Sequence, residues 1–298
     1  MSYDVYTRIV ADLFPRSKVE RVVRLMGGVS ADVHRLDLKL FDGSTTSLVL
    51  RSHGASHSGH SAELEYQLLR ALHKSSISVP EPLLVDVSGS LLVDPFLVIE
   101  FIEGTSNIPV AQNGQCIDLM ADTLAAIHAL PTSDLPTLPM RNDPLPEVLH
   151  YLPKGNEWEN LLAHLQSLSE TEYLGLPKLL HGDFWPENLL WRQGSIVSIL
   201  DWEDAAFGDP LSDVACCRLE LRYKFGQAGM QRFTQAYAKH RIVDCDRLAL
   251  WQVYVASAAQ RFMGGWGLDT ALEEHMRTEA LNSIREAGDT LTGRKVIT

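Results

Sequence analysis

Residues 181–201 constrain this chain more than any other stretch; they read His-Gly-Asp-Phe-Trp-Pro-Glu-Asn-Leu-Leu-Trp-Arg-Gln-Gly-Ser-Ile-Val-Ser-Ile-Leu-Asp. Leu189 to Trp191 and Ile196 to Leu200 are short apolar runs on either side of Arg-Gln-Gly-Ser, a turn in which Gly194 can take a positive φ. The two runs are therefore expected to pair antiparallel. Asn188 lies just before the first and Asp201 just after the second, so the hairpin brings an amide oxygen and a carboxylate together at its open end. Such hard oxygens suit Mg²⁺, which takes one or two protein ligands and fills its octahedron with phosphate oxygens and water. Asp183 precedes Asn188 in a loop with Pro186, close enough to accept a hydroxyl proton from a second substrate.

The order His-x-Asp-x-x-x-x-Asn followed by Asp resembles the catalytic loop and metal-binding Asp of the protein-kinase-like fold. More closely, it is similar to the small-molecule branch formed by aminoglycoside phosphotransferases and choline kinases. In that branch the loop reads His-Gly-Asp, and the metal Asp is followed by Trp-Glu-Asp-Ala and then Gly-Asp-Pro, as Asp201 to Ala205 and Gly208 to Pro210 are here. The resemblance implies an α+β, bilobal fold: an N-terminal antiparallel sheet lobe with one or two helices, and a larger, mainly helical C-terminal lobe. It implies Mg²⁺-dependent transfer of the γ-phosphoryl group of ATP or GTP to a hydroxyl of a small molecule, with aminoglycoside or macrolide antibiotics among the candidate acceptors. Asp183 would be the base and Asn188 and Asp201 the metal ligands.

The pattern along the chain fits two lobes. Val5, Ile9, Val10 and Leu13 form an amphipathic helix that stops at Phe14-Pro15. Val19 to Met26, Val33 to Phe41 and Thr46 to Arg51 read as an antiparallel meander broken at Gly27-Gly28 and Asp42-Gly43. Ala62 to His73 reads as a helix with Ser61 as cap, and Leu83 to Val87 and Phe96 to Ile102 as two further strands. Beyond them the pattern is mainly helical: Ile117, Met120, Leu124 and Ile127 mark one buried face, and Leu248, Trp251, Val255, Ala258 and Phe262 another. Leu130 to Pro146 reads as a connecting loop. The expected division is residues 1–103 and 104–298, with a nucleotide cleft at the junction.

In the small lobe, Gly27, Gly28 and Ser30 sit between two expected strands, where glycine lets backbone N–H groups approach phosphate oxygens. The resemblance makes this the turn over the triphosphate. Arg51 ends the third strand where the family usually has a lysine; its planar fork can bind phosphate in bidentate fashion. The family's helix glutamate, its partner, is assigned to Glu65, with Glu63 as the alternative. Phe96 to Gly104 resembles the interlobe hinge, where the Glu100 carbonyl and Ile102 N–H would read the base, leaving ATP against GTP open. His53, His57 and His60 read as part of a Gly/Ser-rich loop rather than a metal site, His128 as a packed residue, and His181 as support for the loop it opens. Asp209 and Asp213 are expected to brace that loop and cap the next helix.

A formal charge of −12 over 298 residues, without Lys/Arg stripes, argues against general nucleic-acid binding. There is no apolar run of membrane-spanning length and no signal-like N-terminus, and the four cysteines have no metal-ligand spacing, so a reduced, cytoplasmic protein is expected. Oligomeric state is unspecified. For the acceptor, Glu203 and Asp204 suit a cation, whereas Trp158, Trp185, Trp202, Trp251 and Trp266 suit a larger apolar molecule. Two other classes compete: a kinase for a common metabolite such as choline or a sugar, and a nucleotide-binding pseudokinase acting as a regulatory module.

Overall fold

A computed structural model describes residues 3–25, 31–54, 59–108 and 113–293. Helix α1 (Tyr3–Val10) leads into strands β1 (Lys18–Arg24), β2 (Asp32–Lys39) and β3 (Thr45–Ser52). Helix α2 (Ala62–His73) and strands β4 (Pro82–Asp86) and β5 (Phe96–Glu100) follow. The five strands form one antiparallel sheet in the order β1-β2-β3-β5-β4.

Alternation along the central strands decides what each sheet face does. Leu48 and Leu50 of β3, with Phe96 and Val98 of β5, pack with Tyr6, Ile9 and Val10 of α1. Val49 and Arg51 point the other way, opposite Ile99 and Leu97 in register, toward α2 and the large lobe. Helix α2 begins where Ser61 Oγ accepts the Leu64 N–H at 3.3 Å, and it buries Glu65, Leu68, Leu69 and Leu72 along one face. Each fully buried leucine there contributes about 1.5–3 kcal/mol relative to exposure. The same pattern thus supplies an apolar seat for the lobe and places one cation, Arg51, on its inner face.

The remainder is mostly helical, as expected: α3 (Asn113–Ile127), α4 (Leu145–Tyr151), α5 (Glu159–Ser167), α6 (Pro210–Tyr237), α7 (Cys245–Phe262) and α8 (Thr270–Leu291). Helix α6 bends at Gly226, whose φ of 67° and ψ of −170° leave the helical region. The stretch read as a loop, Leu130 to Pro146, also contains β6 (Met140–Arg141) and the start of α4. Strand β6 exists because β10 (Ala206–Gly208) pairs with it in parallel and with β7 (Lys178–Leu180) in antiparallel fashion, contacts too distant in sequence to show locally. The hairpin forms as β8 (Leu189–Arg192) and β9 (Ser195–Ile199).

The two regions share one apolar cluster, in which Val49, Leu68 and Leu97 lie with Leu189, Trp191, Ile199 and Trp202. Backbone links reinforce it. Thr105 and Trp191 exchange N–H···O bonds of 3.0 and 2.8 Å, and the Ile199 N–H donates to Ser78 O at 2.9 Å. The hairpin is therefore held against the segment that leaves the sheet. No helix among the described residues is long and apolar enough to cross a membrane.

Candidate active site

The hairpin turn uses two left-handed residues, Gln193 (φ 52°) and Gly194 (φ 79°), the conformation that matches the twist of a two-residue hairpin loop. At the open end Pro186 starts a single helical turn over Pro186–Asn188, and the Leu200 N–H donates to Asn188 O at 2.8 Å. Asn188 Nδ2 donates to the Asp183 carbonyl at 2.8 Å and to Asp183 Oδ2 at 3.0 Å. That orientation turns the Asn188 oxygen away from Asp183. Asp201 leaves the second strand with φ 62°. Burial, then the charges of Asp201 and Asp204, push the Asp183 carboxyl up to about 7, against the hydrogen bonds from Asn188 and Trp185. This elevation arises first from burial and then from neighbouring carboxylates.

The loop that begins at His181 is fixed by buried polar groups. The N–H groups of His181 and Gly182 donate to the two oxygens of Asp213 at 2.7 and 3.0 Å. His181 Nε2 donates to Leu200 O at 2.9 Å, and its Nδ1 accepts the Asp183 N–H at 3.3 Å. A carbonyl can only accept, so the ring is a neutral Nε2–H tautomer, and burial lowers its pKa. His128 joins Asp213 at 3.2 Å and the Tyr237 hydroxyl at 2.7 Å, which makes it a packed residue as expected. Burial alone would raise the Asp213 carboxyl; the bonds from His128 and the His181 backbone hold it below its ordinary value. Asp209 caps α6 through the Leu211 N–H and takes both Arg247 and the Trp251 indole.

Gly182 is required where it stands. Its φ is 88°, and an added Cβ would lie 2.0 Å from Asp204 O. Gly182→Ala is expected to cost about 2–4 kcal/mol in unfolding free energy, combining left-handed strain with displacement of the 204 backbone. Denaturant melts of the two proteins measure it.

Arg51 is buried on the inner sheet face among three carboxylates. Nη1 lies 3.3 Å from Glu65 Oε1, and Nη2 lies 2.9 Å from Asp201 Oδ1 and 2.7 Å from Glu203 Oε2. Burial works against its charge, but Glu65, Asp201 and Glu203 together raise its pKa. Glu63 is exposed, so Glu65 is the helix glutamate that meets Arg51. Arg51 Nε is buried without a hydrogen-bond partner among the described residues. Arg51 lines a cavity of about 410 Å³ together with Glu65, Glu100, Ile102, Asn188 and Asp201. A guanidinium in a cavity wall suits a phosphate oxygen. An amide oxygen and a carboxylate at the same cavity suit Mg²⁺. Gly27, Gly28, Ser30 and His57 lie outside the described residues.

Two acceptor expectations are corrected. Glu203 is buried against Arg51 and is not available to a cationic acceptor, whereas Asp204 is exposed. Trp158, Trp202 and Trp251 are core residues; of the five tryptophans named, Trp185 and the buried Trp202 line the cavity. Aromatic content alone does not distinguish core from pocket.

Three side chains near the loop were missed. Arg141 Nη1 donates to Gly182 O at 3.1 Å. On α6, Cys216 Sγ lies 4.0 Å from Asp183 Oδ1, and Glu220 follows one turn later. The polar positions Asp213, Cys216 and Glu220, at helical spacing just after the motif, were the available signal. Burial, then the charges of Asp183 and Glu187, push Glu220 up to about 8 against the pull of Lys224. Its ordinary value is 4.5, so its ionisation opposes folding progressively as pH rises from 4.5 to about 8. Glu220→Gln is expected to melt higher than wild type at pH values near 8, with the difference vanishing toward pH values near 4.5, as thermal melts across that range will record.

With this geometry in view, similarity to known proteins is informative. The chain is 26% identical to rat (Rattus norvegicus) acyl-CoA dehydrogenase family member 11 over 69% of its own length and 31% of that protein's, so it spans less than a third of that relative. It is 28% identical to the aminoglycoside 3'-phosphotransferase of Streptomyces fradiae, covering 66% of this chain and 77% of that one. A thermostable variant of aminoglycoside phosphotransferase APH(4)-Ia, solved with AMP-PNP and hygromycin B, superposes with a TM-score of 0.64 at 15% identity, covering 94% of this chain and 98% of that one. That likeness establishes the bilobal fold. A family model described as the phosphotransferase enzyme family (APH) matches residues 21–251, most of the chain, and the chain belongs to that family.

Proposed function

We propose that the chain transfers the γ-phosphoryl group of ATP or GTP to a hydroxyl of a small molecule, in a cleft between lobes 1–103 and 104–298. The observation that carries this reading is the Asn188 bond to Asp183 at the open end of the hairpin, beside Asp201 and the cavity that Arg51 borders. Phosphoryl transfer of this kind is mainly positioning and charge neutralisation. Asp183 orients the acceptor hydroxyl and takes its proton. The Arg51 guanidinium offsets charge on a non-transferred phosphate, and the resemblance assigns Gly27, Gly28 and Ser30 to the same triphosphate. The Glu100 carbonyl and Ile102 N–H read the base. Mg²⁺ held by Asn188 and Asp201 would offset phosphate charge and cancel the Asp201 charge that raises Asp183. Retention of Asp183, Asn188 and Asp201 counts against a nucleotide-binding module without turnover.

An amino-bearing antibiotic is the first acceptor class to test, supported by the relative from Streptomyces fradiae, an aminoglycoside 3'-phosphotransferase. A kinase for a common metabolite such as choline or a sugar is the second reading, since the same centre serves any acceptor hydroxyl and the fold does not set the acceptor. The four cysteines are unpaired, which suits the reducing cytoplasm. Nucleotide consumption should be followed with ATP and GTP, with and without Mg²⁺, against pooled aminoglycosides, macrolides, amino-alcohols and sugars. Mg²⁺-dependent turnover with one pool identifies the class, and transfer only to a metabolite pool selects the second reading. Tight nucleotide binding with no turnover in any pool would contradict both.

A further inference from the structure

Glu203 belongs to the large-lobe segment after β9, yet it is held from the small-lobe side. Its carboxylate Oε2 takes Arg51 Nη2 at 2.7 Å, and its backbone carbonyl accepts the His60 N–H at 2.8 Å. Gly59 sits so close that an added Cβ would lie 2.6 Å from Glu203 Cβ. Arg51 Nη2 is shared between Glu203 and Asp201, whereas Nη1 faces Glu65. A planar fork can span both sides in this way; a lysine ammonium is a single point charge and cannot.

Asp201 therefore has two claimants, Arg51 and the cation assigned to it above. We infer that Glu203 is a positioning residue that keeps the Arg51 guanidinium at the lobe junction when the Asp201 carboxylate turns to a divalent cation. The inference rests on the phosphotransferase reading of Arg51 and Asp201. With Glu203 present, Arg51 keeps two carboxylates, Glu65 and Glu203, after Asp201 is lost to it, and its guanidinium stays in the cavity wall. Without that charge, Arg51 depends more on Asp201 and competes with the cation for it. Glu203 thus lowers the Mg²⁺ requirement for nucleotide binding, and it acts through the arginine.

The test measures equilibrium binding of a non-hydrolysable ATP or GTP analogue, titrated with Mg²⁺, for wild type, Glu203→Gln, Arg51→Lys and the double variant. Circular dichroism melts set a temperature at which all four are folded, and Glu203→Asp serves as the conservative variant. The expected result is an increase of about tenfold in the Mg²⁺ concentration for half-saturation in Glu203→Gln, partly restored in Glu203→Asp. Arg51→Lys should weaken binding less in the Glu203→Gln background than in wild type, because the fork has already lost one of its anchors. An unchanged Mg²⁺ requirement, or independent effects of the two substitutions, would overturn the inference while leaving the phosphotransferase reading intact. A wild-type protein that binds nucleotide equally with and without Mg²⁺ would overturn the inference alone, and one that binds no nucleotide at any Mg²⁺ concentration would overturn both.

Discussion

Asp183→Asn is expected to lower the rate of phosphoryl transfer by about 10²–10⁴-fold, the usual worth of a positioned general base. Nucleotide affinity should stay within about threefold of wild type, since Asp183 contacts neither the base nor the phosphates in the proposed arrangement. The substitution is nearly isosteric, and the new amide can turn its oxygen toward Asn188 Nδ2, which now bonds Asp183 Oδ2 at 3.0 Å. What is lost is proton acceptance. Steady-state turnover and equilibrium nucleotide binding on the same preparation separate the two effects. Turnover at the wild-type rate would remove Asp183 from the mechanism.

Arg51→Ala should be damaging in a different way, affecting stability and binding together. It leaves Glu65, with a side chain 2% exposed, and Glu203, 10% exposed, facing Asp201 without a cation between them. Breaking a buried ion pair by removing one partner typically costs about 3–5 kcal/mol, because the remaining charge is left unsatisfied. The unfolding free energy should fall by that amount in urea titrations. Nucleotide affinity should fall roughly 10–100-fold through loss of a charge-assisted phosphate contact. Arg51→Lys should keep most of the charge but not the fork, and lie between wild type and alanine in both measurements. Full stability in Arg51→Ala would mean that the three carboxylates rearrange freely, contrary to the burial of Glu65 and Glu203.

The hairpin was readable in the sequence because its determinants are local: two apolar runs, a glycine turn, and Asn188 and Asp201 at the two ends. The Glu65 partner was readable only through the resemblance of residues 65–72 to the family's helix segment, and the structure agrees by burying Glu65 on the same face of α2 as Leu68, Leu69 and Leu72. The role of Gln193 as a second left-handed turn residue was not, since side-chain type only weakly marks that conformation outside Gly, Asn and Asp. Glu203 was read as facing an acceptor because its partner Arg51 is 152 positions away, beyond any local pattern. Strand β6 likewise depends on pairing with β10 rather than on its own two residues. The half-buried Glu220 had no reading from the sequence, because its raised pKa depends on the packing of α6 near Asp183.

The central claim is that Asp183, Asn188, Asp201 and Arg51 form one centre for transferring a phosphoryl group. Phosphorus NMR of Mg²⁺-nucleotide incubated with the acceptor pools, using wild type and Asp183→Asn in parallel, tests it most directly. The account predicts that with wild type the γ-phosphate resonance declines while a phosphomonoester resonance grows in one pool, and that with Asp183→Asn both changes are slowed about 10²–10⁴-fold. A phosphomonoester formed equally fast by both proteins, or an intact γ-phosphate in every pool with wild type, would contradict it.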